Sequence, residues 1–379
     1  MQEVSVPGLE NHGKDASVAH PAEDRTTSVP DKEGLIVRSP EFIDLETPVE
    51  YFNTWLTLEQ HFFVRNHMHE PSISAAWSLS VSGEVEHPYV LTLAELLEME
   101  THSVVNTLEC AGNGRAYHIP KAPGAQWRKG AVGTARFCGP RLRAILERAG
   151  VKRGGKHVMF RGLDDGAGKV PPFLRSIPIE KAMHGDTLVA THMNGAVLGR
   201  HHGFPARSLV PGWIGAASCK WITEIKVLTE ECDGIFMSQE YRISDQAVQP
   251  GEEVRPESTH AITALPVKSL ITTPADGVTA QTGTIRIQGV AWAGEADVVR
   301  VEVSVDGGAS WQDAQLGSDY ARYAWRQWSF EWEIPRDGEF VITARATDQL
   351  GRTQSSTPAW NPNGYLNNAV DRVRITVRD

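Results

Sequence analysis

In the last third of the chain, apolar and polar residues alternate over short segments. Every second residue is apolar in Val301–Val305, in Trp328–Ile334 and in Phe340–Ala346, and Asp-Gly pairs separate these segments. An alternation with a period of two places one face of a β-strand in a core and the other face in water. Short strands joined by tight turns predict an all-β sandwich over residues 262–379.

The preceding part of the chain, residues 33–258, mixes helical and extended patterns. Thr92 and Glu95 form a capping box in the segment TLAELLEME, and residues 140–149 carry a second apolar stripe that begins at a proline and ends before a glycine. Asn194-Gly195 is a dipeptide typical of a hairpin turn. These patterns predict an α+β domain that ends near the segment GEEVRPESTHAIT.

The first 32 residues are polar and lack apolar periodicity, so we interpret residues 1–32 as a flexible arm or as an extended segment that wraps around the domain. They contain no basic segment followed by an apolar run and no twin arginine. We therefore expect a cytoplasmic location, or a periplasmic one if the chain is already processed. No apolar run approaches the length of a membrane-spanning helix.

Composition narrows the classes of partner. The chain has 379 residues and a net charge of -10. Nucleic acids and anionic membranes attract basic surfaces, so we expect neither as a partner, although a local cluster of arginines would still bind a small anion. The four cysteines have neither CxxC nor CxxCH spacing. This predicts reduced thiols rather than a zinc site, a disulfide scaffold or a covalent haem.

One cysteine stands where a predicted strand runs into a loop of small residues. This is Cys110, in the segment TLECAGNGR. Such a loop lets a bulky ligand approach the backbone closely. A thiolate becomes a metal ligand when nearby positive charge or a metal lowers its pKa, and Arg115 is one source of charge. The alternative is a buried, inert cysteine, which is the commoner fate of a lone thiol.

Two further segments carry candidate binding residues. In residues 201–221, Arg207, Lys220 and the Ser218 hydroxyl lie among glycine and alanine, which suits a phosphate group, with surface solvation as the alternative. The paired histidines at the start of this stretch point in different directions, which disfavours a shared metal site. In the segment FVRNH, residues 63–67, an arginine, an amide and an imidazole form either a binding site or an exposed strand end.

In this order, the segments FVRNH, TLECAGN and HGFPARSLVPGWIGAASCKW resemble the molybdenum domain of the sulfite oxidase family over about residues 60–245. The C-terminal part resembles the immunoglobulin-like dimerisation domain of the same family. The resemblance implies an enzyme that holds molybdenum through a molybdopterin and that carries no haem or flavin. It also implies a homodimer and an external electron acceptor, for which a c-type cytochrome is our hypothesis.

The resemblance further implies roles for individual residues. Cys110 matches the family's metal ligand, and Arg65 and Arg115 match arginines that line the pocket for the oxyanion substrate. Trp127 matches an aromatic residue of that pocket, and Tyr241 matches a tyrosine implicated in substrate binding and electron egress. The residues that match positions holding the pterin and its phosphate are Phe63, Asn66, His67, Asp164 (or its neighbour Asp165), His202, Arg207, Ser218, Cys219 and Lys220.

The sequence departs from the family pattern at Asn363, where sulfite-oxidising members carry another arginine. The expected reaction is oxidation of sulfite to sulfate. The missing charge keeps two alternatives open, namely oxidation of carrier-bound sulfane sulfur and reduction of nitrate or a sulfoxide. A non-enzymatic β-sandwich interaction protein is a further alternative. The tryptophans of the sandwich either fill its core or, where exposed, mark a dimer interface: Trp292, Trp311, Trp325, Trp328 and Trp332.

Overall fold

The computed structural model describes residues 26–27, 29–164 and 171–378. Most of the predicted arm, residues 1–25 and residue 28, lies outside the described residues, as does Asp165. Lys32, the last residue of that predicted arm, is only 1% exposed. A flexible arm would therefore have to end before this lysine.

The first domain is built from short strands and a few short helices. Its described α-helices are α1 (Leu93–Glu98), α2 (Leu142–Ala149), α3 (Ile179–Ala182) and α4 (Ile235–Ser238). Its described strands are β1 (Ile36–Ser39), β2 (Asp44–Glu46), β3 (Ser78–Gly83), β4 (Tyr89–Thr92), β5 (Thr101–Glu109), β6 (Val132–Pro140), β7 (His157–Gly162), β8 (Leu174–Pro178), β9 (Leu188–Ala190), β10 (His192–Met193), β11 (Ala196–Val197), β12 (Arg207–Leu209), β13 (Ile222–Leu228), β14 (Arg242–Ser244) and β15 (Thr259–Ala261). Within the described ranges, no helix is long and apolar enough to cross a bilayer.

Two larger sheets organise this domain. One has the strand order β11-β10-β6-β5 and the other has the order β4-β3-β13-β7-β8, in which β3 and β13 run parallel. The local sequence signals are confirmed. Thr92 caps α1 in a reciprocal capping box with Glu95, Gly150 ends α2 at a positive φ of 69°, and Asn194-Gly195 turns between β10 and β11. The mixture of helices and sheets confirms the α+β prediction.

The second domain is the predicted β-sandwich. Its strands are β16 (Lys268–Thr273), β17 (Val278–Ala280), β18 (Gly283–Trp292), β19 (Val298–Ser304), β20 (Gln312–Asp313), β21 (Gln315–Leu316), β22 (Arg326–Ile334), β23 (Gly338–Asp348) and β24 (Asp371–Val377). They form two sheets with the orders β16-β18-β22-β21 and β17-β24-β23-β19-β20. The alternating apolar residues of β19, β22, β23 and β24 meet between the sheets in a common core.

The sandwich tryptophans mostly fill cores. Trp292, Trp325, Trp328 and Trp332 are all buried, and Trp311 is half-buried with Arg345 stacked over its ring. Trp292 and Trp325 belong to the same buried cluster as the main core of the first domain. These two side chains therefore join the two domains of one chain, and they are not available to mark a dimer interface.

Candidate active site

Cys110 follows directly after β5, the edge strand of the four-stranded sheet. β5 pairs with β6 along its whole length, and the Cys110 N–H continues the pairing by donating to the carbonyl of Ala131 at 2.9 Å. The chain then turns, with the Asn113 N–H donating to the Cys110 carbonyl at 2.9 Å. Cys110 is 8% exposed. The end of a rigid strand pair thus fixes the thiol, as the sequence predicted.

Two cavities meet at Cys110. The deep one is lined mostly by buried residues, and the outer one opens beside the exposed residues Pro123 and Gly124. Cys110, Arg65, His67 and Tyr241 line both cavities. Twelve of the fourteen residues proposed for the site line the deep cavity: Phe63, Arg65, Asn66, His67, Cys110, Asp164, His202, Arg207, Ser218, Cys219, Lys220 and Tyr241.

The far end of the deep cavity is rich in buried cations. Arg207 is 5% exposed and donates to the carbonyls of His202 (3.0 Å) and Ser218 (2.9 Å), while its Nε has no partner among the described residues. The Lys220 amine donates to the Asn66 side-chain oxygen and to the His201 carbonyl. Burial lowers the pKa of Lys220 to about 7 and that of Arg207 to about 10. A buried anion would relieve both shifts.

A hydrogen-bonded chain crosses the boundary between the cavities. Arg65 Nη1 donates to both carboxylate oxygens of Asp44 at 3.1 Å, and Arg65 Nη2 lies 3.0 Å from His67 Nδ1. Arginine can only donate, so His67 Nδ1 accepts and Nε2 carries the proton. Nε2 then donates to the Tyr241 phenol oxygen. This arrangement leaves the Tyr241 O–H free to donate into the cavity.

Arg115 stands in the wall of the outer cavity, in a space left by three glycines. Its Nε donates to the Asn363 carbonyl at 2.8 Å, and its Nη1 donates to the Ala125 carbonyl at 2.9 Å. A Cβ added at Gly112, Gly124 or Gly364 would lie 2.5, 2.9 or 2.8 Å from an Arg115 side-chain atom. Among the described residues, Arg115 has no carboxylate partner. Its charge is therefore available to an anion, whereas that of Arg65 is largely neutralised by Asp44.

A turn from the second domain forms one wall of the outer cavity. The Asn361 side chain accepts from the Tyr365 N–H at 2.8 Å and donates to the Tyr365 carbonyl at 2.8 Å. Tyr365 stacks on Tyr241 with ring centroids 5.4 Å apart and donates its hydroxyl to Glu240 at 2.7 Å. Asn363 lies in the same turn and lines the cavity. The position where the sequence lacks an arginine is thus a wall position.

Trp127 and the histidine pair complete the comparison with the sequence. Trp127 is fully buried in the cluster that contains Cys110, and it lines neither cavity, so it supports the site from behind. His201 pairs with Glu70 at 2.7 Å and His202 contacts Lys32, so the two rings point to different partners. Among the described residues, no group of three or more His, Cys, Asp or Glu could hold a metal.

Sequence reasoning missed several residues that shape the site. Asp44, Tyr365 and Lys32 come from distant parts of the chain, and no local motif marks them. Arg175 was also missed, although it is 1% exposed and lies 5.3 Å from the Tyr241 ring centroid. Asp44 shares its three-residue strand with a second buried carboxylate, Glu46, so the local sequence does not single it out.

Comparison with known proteins places these features in a family. Residues 67–236 match the model of the oxidoreductase molybdopterin-binding domain, and residues 259–378 match that of the Mo-co oxidoreductase dimerisation domain. Sulfite oxidase from Gallus gallus is 36% identical over 356 residues, which cover 89% of this chain and 77% of that protein. The chain belongs to the sulfite oxidase family. It is an enzyme of the molybdopterin-dependent oxidoreductase type.

Two other relatives show the breadth of this family. Mitochondrial sulfite oxidase from Rattus norvegicus is 36% identical over 361 residues, covering 90% of this chain. The match spans 66% of the length of that rat protein. The crystal structure of the sulfane dehydrogenase SoxCD from Paracoccus pantotrophus superposes with a TM-score of 0.77 and 25% identity, covering 96% of this chain and 92% of that one.

The deep cavity fits the cofactor that the family implies. A molybdopterin carries an anionic phosphate, and the far end of the cavity offers Lys220 and Arg207, whose charges have no carboxylate at hydrogen-bond distance among the described residues. At the near end, burial raises the pKa of the Cys110 thiol, and Arg65 and Arg115 oppose that rise. A bound metal cation deprotonates a coordinating thiol outright. The donor set therefore suits a cofactor with its phosphate at Lys220 and its metal at Cys110.

Proposed function

We propose that this protein oxidises sulfite to sulfate at a molybdenum cofactor and passes the electrons to an external acceptor. The observation that carries the proposal is the placement of Cys110 between a deep cationic cavity and an outer cavity lined by Arg65 and Arg115. The first cavity has the charge for a pterin phosphate, and the second has the charge for a small oxyanion. The shared cysteine is positioned to be the protein's ligand to the metal.

The outer cavity would bind the substrate mainly through Arg115. Arg115 is 7% exposed, and its guanidinium is unpaired with any carboxylate among the described residues. A planar guanidinium donates to an oxyanion through two parallel N–H groups. The free Tyr241 O–H would donate to a further oxygen. Arg65, held by Asp44, contributes donors and a smaller net charge.

When bound, the molybdenum cofactor supplies oxygen-atom transfer to sulfur and takes up the two electrons. The protein orients the sulfur lone pair toward that centre by holding the substrate oxygens at Arg115 and Tyr241. The buried side chains of the wall, including Phe236 and Tyr365, exclude bulk water from their side of the cavity and strengthen these contacts. His67 stays neutral, because burial and then Arg65 hold its pKa well below the usual value, and so it keeps Tyr241 oriented.

A second candidate is oxidation of sulfane sulfur. Two observations favour it, namely the similarity to a sulfane dehydrogenase and the neutral Asn363 in the wall of the outer cavity. A substrate with less negative charge than sulfite would need fewer cations at that wall. In either case, we propose a homodimer formed through the second domain, and a c-type cytochrome as the acceptor.

The test is steady-state oxidation of sulfite by molybdenum-loaded protein, with ferricyanide as the electron acceptor. The proposal predicts saturable turnover that requires molybdenum and that is strongly weakened in Arg115→Met. Absence of turnover at full molybdenum content would contradict sulfite as the substrate, and a thiosulfate-derived persulfide would then be tested in the same assay. Electron transfer to isolated cytochrome c, and the mass in solution by light scattering, test the two proposed partners.

A further inference from the structure

Lys32 is a buried lysine in the segment that leads into the first domain. Its side chain is 1% exposed, and its amine donates to the carbonyls of Glu59 and Phe62 and contacts His202 Nε2 at 2.6 Å. These three neighbours account for all three donors of an ammonium group. Among the described residues, no carboxylate forms an ion pair with it.

Burying a lysine against neutral acceptors is costly, so the position calls for an explanation. Burial lowers the pKa of Lys32 to about 7. A role limited to fastening the chain segment would be met by any residue that reaches the two carbonyls. The third contact differs, because it is made to a side-chain nitrogen rather than to a backbone carbonyl. His202, like Phe62, lines the deep cavity while Lys32 itself does not, so the imidazole is the side chain through which Lys32 acts on the cavity.

The contact determines which nitrogen of His202 carries a proton. His202 is 2% exposed, and burial together with the neighbouring Lys32 holds its pKa well below the usual value, so the ring is neutral. A neutral imidazole has one donor and one acceptor nitrogen. If the ammonium of Lys32 donates to Nε2, then Nδ1 carries the proton. Nδ1 has no partner among the described residues, and the His202 carbonyl is held by Arg207 at 3.0 Å.

We propose that Lys32 is a positioning residue for the cofactor, which fixes His202 as the Nδ1–H tautomer and so presents a hydrogen-bond donor to the anion-binding end of the deep cavity. The inference rests on the proposed cofactor site. It adds a residue outside the segment matched by the molybdopterin-binding model, which begins at residue 67. An anion bound in the cavity would keep Lys32 charged and so reinforce the same tautomer.

The first test measures cofactor retention in the full chain, isolated from a host that makes molybdopterin. Molybdenum is measured by elemental analysis, and the pterin by its fluorescence after oxidation. Partners that orient a ligating group typically change affinity by about 10- to 100-fold. Lys32→Met is expected to lose cofactor about tenfold faster on dilution. Lys32→Gln, whose amide can still donate to His202 Nε2, is expected to recover much of the loss.

Lys181→Met is the matched control. Lys181 also donates to a backbone carbonyl, that of Pro211 at 2.9 Å, but it lines neither cavity. Equal retention in Lys32→Met and Lys181→Met would overturn the proposal. If wild-type protein itself carries no molybdopterin, the proposed function fails instead, so the two failures are distinguishable.

The second test needs no variant. In holoprotein with 15N-labelled histidine, the long-range proton–nitrogen spectrum distinguishes a protonated from an unprotonated ring nitrogen. The proposal predicts an unprotonated Nε2 and a protonated Nδ1 for His202, assigned by its absence in His202→Gln. A protonated Nε2 would overturn the proposal, even if Lys32→Met does not fold.

Discussion

Replacing Gly112 by alanine should displace the substrate-binding guanidinium without disturbing the fold. The added Cβ would lie 2.5 Å from Nη2, 2.6 Å from Cζ and 2.8 Å from Nη1 of Arg115. Ordinary contact begins at 3.4 Å, so the guanidinium must retreat by about 0.9 Å. The clashing atoms end a flexible side chain, and Gly112, unlike Gly124 and Gly364, has no positive φ. The substitution therefore tests space alone.

The size of the effect follows from the displacement. A misplacement of about 1 Å at a group that orients substrate can reduce the rate about 100-fold. We expect Gly112→Ala to lower kcat/KM for sulfite by about that factor. Most of the loss should appear in KM, because Arg115 binds the oxyanion before and during reaction. Sulfite oxidation with ferricyanide measures both constants.

Two controls make the result interpretable. Gly185 has no atom within 4 Å of an added Cβ, so Gly185→Ala should keep wild-type kinetics. Molybdenum content must be measured alongside, because Gly112 is two residues from Cys110. Wild-type kcat/KM at full molybdenum content in Gly112→Ala would refute the role assigned to Arg115.

Three further predictions address charge and stability. Asn363→Arg should lower KM for sulfite about tenfold, well inside the upper limit of about 4 kcal/mol for a charge at contact range, and the gain should shrink with salt. An unchanged KM would argue that charge at this wall position does not affect sulfite binding. In cofactor-free protein, the unfolded chain binds more protons than the folded chain between pH 7 and 10.5, because Lys32 is depressed to about 7 from 10.5. The free energy of unfolding of the wild type should therefore rise with pH in this window more steeply than that of Lys32→Met, and the two slopes should differ by up to about 1.4 kcal/mol per pH unit. Thermal unfolding at a series of pH values measures both slopes, and equal slopes would contradict the prediction. Glu109→Gln should destabilise the protein by about 3–5 kcal/mol in denaturant unfolding, since it leaves Lys268 without its buried partner at 2.8 Å, whereas Glu331→Gln, at an exposed pair, should not.

The sequence was most informative where a feature is local. The capping box at Thr92, the turn at Asn194-Gly195 and the alternation in β22 each depend on neighbours within a few residues, and the structure confirms them. Cys110 was also recognisable, because a loop of small residues after a strand is a local pattern. The order of three such segments was enough to suggest the family.

The features of the site that could not be predicted from the sequence are contacts between residues that lie far apart in the chain. Asp44 neutralises Arg65 from 21 positions away, and the Asn363 carbonyl meets Arg115 across 248 positions. No periodicity encodes such pairs, since the first depends on how distant segments of the first domain fold together and the second on how the two domains pack on one another. Trp127 shows the opposite limit. The sequence match predicted that Trp127 lines the substrate pocket. The structure places the ring in the same buried cluster as Cys110, but behind the cavity wall.

The central claim is that Cys110 is the protein's ligand to the metal, and the environment of molybdenum reports on it most directly. X-ray absorption at the molybdenum edge should be compared between the wild-type holoprotein and Cys110→Ser, with Cys138→Ser as a control at a half-buried thiol outside both cavities. The account predicts that only Cys110→Ser loses one sulfur neighbour of the metal. An unchanged number of sulfur neighbours in Cys110→Ser, at equal molybdenum content, would contradict it.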